Sequence, residues 1–277
     1  MNPSDIFKNV EIPVFPFPKT VINYIFANAT PKHYKKLNKT CKFIFFKYQR
    51  NCVEWIHLQE DYSCDREAQP LPIFRRYKFM TKVERDFALL PSNIWFCSAM
   101  ELHRASTMLY KTLIPKITRC DIASLTLMRS ADLLFDDFKF LTDSGNIQTL
   151  ELHDTKIIYS NGQPVEFENI LFQVNNARFI TLNPVHTARS TMKNLQNIQW
   201  GICKLMMLRL KHIDNYIHPN QFFNLLQKTS HMSIMKLRDR YIVQFNDPQE
   251  TQQFNDSLSV MVKEYKEPEI VAVEKKE

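Results

Sequence analysis

Only three glycines, Gly145, Gly162 and Gly201, occur in 277 residues. A phosphate-binding loop, a dinucleotide fingerprint and a Gly-x-Ser-x-Gly nucleophile elbow each need more glycine in one place, because backbone must approach phosphate or turn sharply. All three are excluded. No apolar run approaches the ~18 to 20 residues of a membrane-spanning helix, so no membrane partner is expected. The opening stretch MNPSDIFKNVEIPVFPFP lacks a basic segment followed by an apolar one, so no secretory signal is expected. The six cysteines, at positions 41, 52, 64, 97, 120 and 203, include no Cys-x-x-Cys pair. Without a secretory signal they read as reduced thiols of a cytoplasmic or nuclear protein.

Metal and acid–base chemistry are thinly supported. No two of the eight histidines and six cysteines stand at the i, i+3 or i, i+4 spacing of a helical metal site. Cys97 and His103 are the nearest pair at a strand-like position and read as coincidence. Asp136-Asp137 could be paired carboxylates, but acids at a helix N-terminus explain them better, without chemistry. Cys41 lies on an apolar stripe and reads as a small buried hydrophobe. No cofactor, no metal and no catalytic residue is expected, and the chain reads as a non-enzyme.

The formal charge of +7 is local. Seven basic residues (Lys32, Lys35, Lys36, Lys39, Lys42, Lys47 and Arg50) lie between Thr30 and Cys52 with no acid among them. Setting them aside leaves 29 basic and 29 acidic residues elsewhere. A nucleic-acid binder usually spreads its basic surface more widely, so nucleic acid is not expected, although binding through the Lys-rich helices at 32–50 is an alternative. The plainer reading is the solvated face of two short helices.

Along the chain, residues 1–13 form a leader. Val21, Ile22, Ile25, Phe26 and Ala29 then mark one apolar face of a helix. Thr30 suits an N-cap and Pro31 the first helical position, so a second helix starts there. Tyr34, Leu37, Cys41, Ile44 and Phe45 continue the stripe, and Asn38 suits the cap of a third helix. Three short helices over 14–50 cannot bury a core alone. Residues 51–96 read as a connecting region, with Asp61 to Pro72 as a polar loop.

From residue 97 to 262 a repeat emerges. Its motif is apolar–polar–Leu: Met100-Glu101-Leu102, Leu125-Thr126-Leu127, Leu150-Glu151-Leu152, Ile180-Thr181-Leu182, Leu208-Arg209-Leu210 and Met235-Lys236-Leu237. The final leucines are 25, 25, 30, 28 and 27 residues apart. Such alternation describes a strand with one buried face. Helix-like segments lie between, at Asp136–Leu141 before Gly145, at Glu166–Val174 and at Pro219–Leu226. A strand plus a helix at this period is the arrangement of leucine-rich repeats, in which neighbours stack into a parallel sheet. The expected fold is therefore α/β: a three-helix module, then a degenerate leucine-rich-repeat-like β/α solenoid with a mainly parallel sheet, then a disordered tail over 263–277. The residues alternating with the leucines should face the other way. Among them Glu151, Thr181, Arg209 and Lys236 are the candidate target contacts, running on from Glu101 and Thr126.

The segment Phe17-Pro18, Val21-Ile22, Ile25-Phe26, Thr30-Pro31, Tyr34, Leu37, Thr40-Cys41-Lys42-Phe43 resembles an F-box, and the spacing matches without a gap. The stretch from Phe135 to Leu182 is also similar to the C-terminal regions of rapidly expanded F-box families. The resemblance implies a substrate receptor of an SCF-type cullin ubiquitin ligase. Its F-box would dock on a Skp-type adaptor, and through it on a cullin, while the repeats bind a target protein. Carried over residue by residue, it implies adaptor contacts at Phe17, Pro18, Ile22, Ile25, Pro31, Tyr34, Leu37 and Cys41. A scaffold that does not promote degradation is the alternative.

Overall fold

The computed structural model describes residues 17–40, 44, 51–60, 77–81, 92–230 and 240–265. The fold is α/β around a mainly parallel sheet. In chain order its elements are α1 (Lys19–Asn28), α2 (Pro31–Thr40), β1 (Asn51–Glu60), β2 (Tyr77–Thr81), β3 (Ile94–His103), α3 (Thr107–Leu113), β4 (Ile117–Cys120), β5 (Ser124–Met128), β6 (Leu133–Leu134), α4 (Phe135–Thr142), β7 (Thr149–His153), β8 (Ile157–Ile158), α5 (Phe167–Gln173), β9 (Phe179–Asn183), α6 (Thr191–Leu195), β10 (Met207–Ile213), α7 (Pro219–Thr229), β11 (Tyr241–Phe245) and α8 (Pro248–Glu264).

The large sheet runs β2-β1-β3-β5-β7-β9-β10-β11, with β4 beside the first half of β3. From β3 onward the spatial order follows the chain, and every neighbouring pair is parallel. Leu102, Leu127, Leu152, Leu182 and Leu210 stand opposite one another across these strands. All five are buried in one continuous core. Aromatic residues from the intervening helices, Phe138, Phe167, Phe222 and Phe254, join that core. The sixth expected position, Leu237, lies outside the described residues. The position in register with Leu210 on the last strand belongs to Val243, so Tyr241–Phe245 is the strand that follows β10. Strand β1 occupies part of what reads from the sequence as a connecting region, and it extends the sheet on the other side of β3. The polar loop expected from Asp61 to Pro72 lies outside the described residues.

Three of the expected helices begin where their caps dictate, but Asn38, expected to cap a third helix, lies inside α2. Pro31 opens α2, and the Thr30 hydroxyl accepts from the His33 N–H at 3.3 Å. Asp136 and Asp137 sit in the first turn of α4, and Gly145 follows that helix with φ +66°. Pro219 opens α7, and the preceding His218 side chain accepts from the Asn220 N–H.

A recurring turn closes the strands on one edge. Arg104, Arg129 and Asp154 each follow the last residue of β3, β5 and β7, and each has positive φ (54°, 49° and 50°). One residue further on, hydroxyls take up buried backbone groups. Ser130 Oγ accepts from the Ala105 N–H at 3.1 Å and donates to the Leu102 carbonyl at 3.2 Å. Thr155 Oγ1 accepts from the Ser130 N–H at 3.0 Å. A backbone polar group left unpaired here would cost about 1–3 kcal/mol, so this short ladder holds successive turns together without the asparagine of standard leucine-rich repeats.

The N-terminal helices pack on the start of β3. Ile22, Phe26, Tyr34, Ile44 and Trp95 form a second buried cluster. The Tyr34 ring meets Phe26 and Trp95 edge-on, with centroids 5.7 and 5.6 Å apart. Arg119, just ahead of β5, lies 4.3 Å over the Trp95 ring and donates to the Phe26 carbonyl at 2.8 Å. Asp121 accepts from both Trp95 Nε1, at 2.8 Å, and Arg119 Nε, at 2.6 Å. The Tyr34–Trp95 edge contact and the Arg119 bond to the Phe26 carbonyl thus tie the helices to the sheet, while the cation–π contact and the two bonds to Asp121 hold Trp95 and Arg119 in place.

Candidate functional site

Side chains alternate across a strand, so burying the leucines turns their neighbours to the opposite face. Register places Glu101, Thr126, Glu151, Thr181 and Arg209 in one row across β3, β5, β7, β9 and β10. Glu101, Thr126, Glu151 and Arg209 are partly exposed, whereas Thr181, the short side chain between Glu151 and Arg209, is buried. The Arg209 Nε atom is shielded and has no hydrogen-bond partner among the described residues. Lys236 lies outside the described residues, and Ile242 stands in register beyond Arg209. The expected basic end of the row is therefore one arginine followed by an apolar residue on the neighbouring strand.

The other end of the row carries an interaction that sequence spacing could not show. His57, on β1, stands directly opposite Glu101. Its Nδ1 lies 3.0 Å from Glu101 Oε2, while Trp55 Nε1 donates to Glu101 Oε1 at 3.0 Å. His103, two residues beyond Glu101, faces His57 with ring centroids 4.5 Å apart. Burial alone would raise the Glu101 pKa. Hydrogen bonds from His57 and Trp55, helped by the nearby imidazoles, outweigh it and hold the carboxyl below its usual range. Burial, reinforced by the His57 charge, lowers the His103 pKa. Cys97, the partner that spacing suggests for His103, instead packs toward the N-terminal helices and donates to the Trp95 carbonyl at 3.3 Å.

A second polar network lies beyond the carboxyl ends of β7, β9 and β10. His212 Nδ1 is 2.6 Å from Asn183 Oδ1, and Asn183 Nδ2 donates to Asp154 at 3.0 Å. Asp214 pairs with His186 and accepts from the Thr187 N–H at 2.9 Å. Burial alone would raise the Asp214 pKa, yet the bonds from Thr187 and His186 prevail and lower it. His186, His212 and Asp214 border a cavity of roughly 250 Å³ whose apolar lining includes Leu152, Phe167 and Leu182. Sequence reading missed this network, but a signal was there. Its partners are separated by 27 to 29 residues, close to the spacing of the leucines.

The candidate adaptor residues divide. Ile22 and Tyr34 are buried within the N-terminal cluster, and Leu37 packs against it. Phe17 and Pro18 are exposed, and Ile25 and Pro31 are half-buried. Cys41 lies outside the described residues. Two large apolar residues next to the candidates, Val21 and Tyr24, are 39% and 71% exposed. They give α1 an outward apolar side at helical spacing.

Comparison with family models, curated proteins and solved structures finds no match for the chain. Among the described residues, no helix is long and apolar enough to cross a membrane.

Proposed function

We propose that the chain is the substrate-recognition subunit of an SCF-type cullin ubiquitin ligase. Its N-terminal helices act as an F-box that docks on a Skp-type adaptor, and the stacked strands and helices act as a degenerate leucine-rich-repeat solenoid that captures a target protein. The observation carrying this reading is the ungapped F-box register from Phe17 to Phe43, together with the exposed Val21 and Tyr24 on the outward side of α1. Large apolar groups at helical spacing on the surface favour a partner that covers them. The tie through Trp95 and Arg119 supports the same reading. A ligase receptor works by holding its target at a fixed place relative to the transferring machinery, so its two ends gain from a stiff connection.

Target capture is assigned to the row at Glu151 and Arg209, together with Lys236, with Thr181 buried between Glu151 and Arg209. Arg209 is partly exposed and supplies a positive charge that an acidic group on a target would pair with. The test is co-purification from cell extract. Wild-type chain should bring down an adaptor and a cullin together with target proteins. Arg209→Glu should keep the first two and lose targets, and urea unfolding of the variant separates lost capture from lost fold. Adaptor without cullin would favour a non-degradative scaffold. An unchanged target set would place the target site elsewhere, for instance at the cavity beyond β7, β9 and β10.

A further inference from the structure

The acidic end of the open sheet face gathers three metal-ligating side chains. His57 and Glu101 are opposite neighbours on β1 and β3, and His103 is two residues beyond Glu101 on the same face. One ligand atom from each of the three lies within 4.8 Å of the others. No turn or loop is needed to bring them together, because parallel register alone does it. We propose that His57, Glu101 and His103 bind a divalent transition-metal ion, with zinc the best match, and leave a coordination position open to solvent.

Three features support the assignment. The first is the donor set: two imidazoles and one carboxylate suit zinc, and a three-ligand arrangement of this composition keeps a fourth position free. The second is reach. Ligand bonds of about 2.0–2.2 Å in a tetrahedron place donors about 3.4 Å apart. His57 and Glu101 are 3.0 Å apart and all three donors lie within 4.8 Å of one another, so the gap left to close is at most about 1.4 Å. The third is orientation. Trp55 Nε1 holds one carboxylate oxygen of Glu101 and leaves the other turned to His57, the role an outer partner plays around a metal ligand. The competing explanation is a histidine–carboxylate hydrogen bond that serves packing alone.

The experiment uses untagged full-length chain treated with chelator and then titrated with zinc chloride by calorimetry. The expected result is one site per chain of micromolar affinity or tighter. Cobalt should substitute and give the visible absorption of a four- or five-coordinate site. His103→Ala and Glu101→Gln should each weaken zinc binding by at least about 10–100-fold, while His153→Ala, on the same face but two strands away, should leave it unchanged. Circular dichroism of each variant separates lost ligands from lost fold, and His57→Gln provides a third, smaller change. Absence of a zinc-binding isotherm in folded wild type would overturn the proposal. So would zinc binding that survives both His103→Ala and Glu101→Gln, since the ion would then sit elsewhere.

Discussion

Trp95→Ala should destabilise the chain by about 3–5 kcal/mol and release the N-terminal helices from the sheet. Trp95 is 1% exposed and fills the space between α1, α2 and the start of β3. Removing the indole deletes its edge contact with Tyr34, the surface under Arg119, and the donor to Asp121. The cavity would lie where the helices meet the sheet, so the loss falls on their attachment. Trp95→Phe keeps most of the packing and drops only the indole N–H. Arg119 still donates to Asp121, so that change should cost about 1–2 kcal/mol. Urea unfolding of the three proteins checks the order. A Trp95→Ala loss below about 1 kcal/mol would mean that the helices are not anchored there.

Val21→Glu with Tyr24→Glu should reduce adaptor affinity at least about 100-fold while leaving the fold intact. Both side chains are exposed, so the changes should alter stability by only about 0.5 kcal/mol each. In a protein interface, by contrast, a few large apolar groups carry most of the affinity, and burying two carboxylates there is costly. Ile22→Ala tests the opposite arm. Ile22 is 5% exposed and packs against Phe26 and Tyr34, so its truncation should cost about 2–5 kcal/mol and act on binding through the fold. A double glutamate variant that binds as tightly as wild type would remove α1 from the interface.

The repeated strands were legible in the sequence because two signals coincide there. The apolar–polar–Leu alternation names the face, and the near-constant spacing aligns the leucines in parallel register. Helix starts were legible for a local reason: Thr30-Pro31 and Pro219 are cap signals that depend on a few adjacent residues. Strand β1 was not legible. Its register shifts between Val53 and Trp55, so its buried residues Val53, Ile56 and Leu58 are not evenly two apart, and the alternation that marks a strand is broken. The expected strand at Met235–Leu237 lies outside the described residues, and Tyr241–Phe245, which pairs with β10, was not read although it alternates as well. Gly201 carried no signal either. A Cβ there would lie 1.8 Å from the Asn176 side chain, a close approach set by a distant loop.

The functional face shows the same division. Glu101, Thr126, Glu151, Thr181 and Arg209 were legible as a row because they follow from the leucine register. The grouping of His57 and Trp55 with Glu101 was not, because the partners are 44 and 46 residues apart and one side lies on the strand that the bulge conceals. Among the proposed adaptor contacts, the F-box resemblance supplied positions without saying which pack inward. Tyr34 faces Trp95 because the first residues of β3 are aromatic and apolar, and that neighbour is 61 positions away in the chain.

The account turns on whether the N-terminal helices bind an SCF adaptor directly. The decisive measurement is calorimetric titration of a purified Skp-type adaptor into the purified full-length chain. The account predicts a one-to-one complex with a dissociation constant below about 1 μM, corresponding to roughly −8 kcal/mol, and strong weakening by Val21→Glu with Tyr24→Glu. No binding by folded wild-type chain at tens of micromolar adaptor would contradict it.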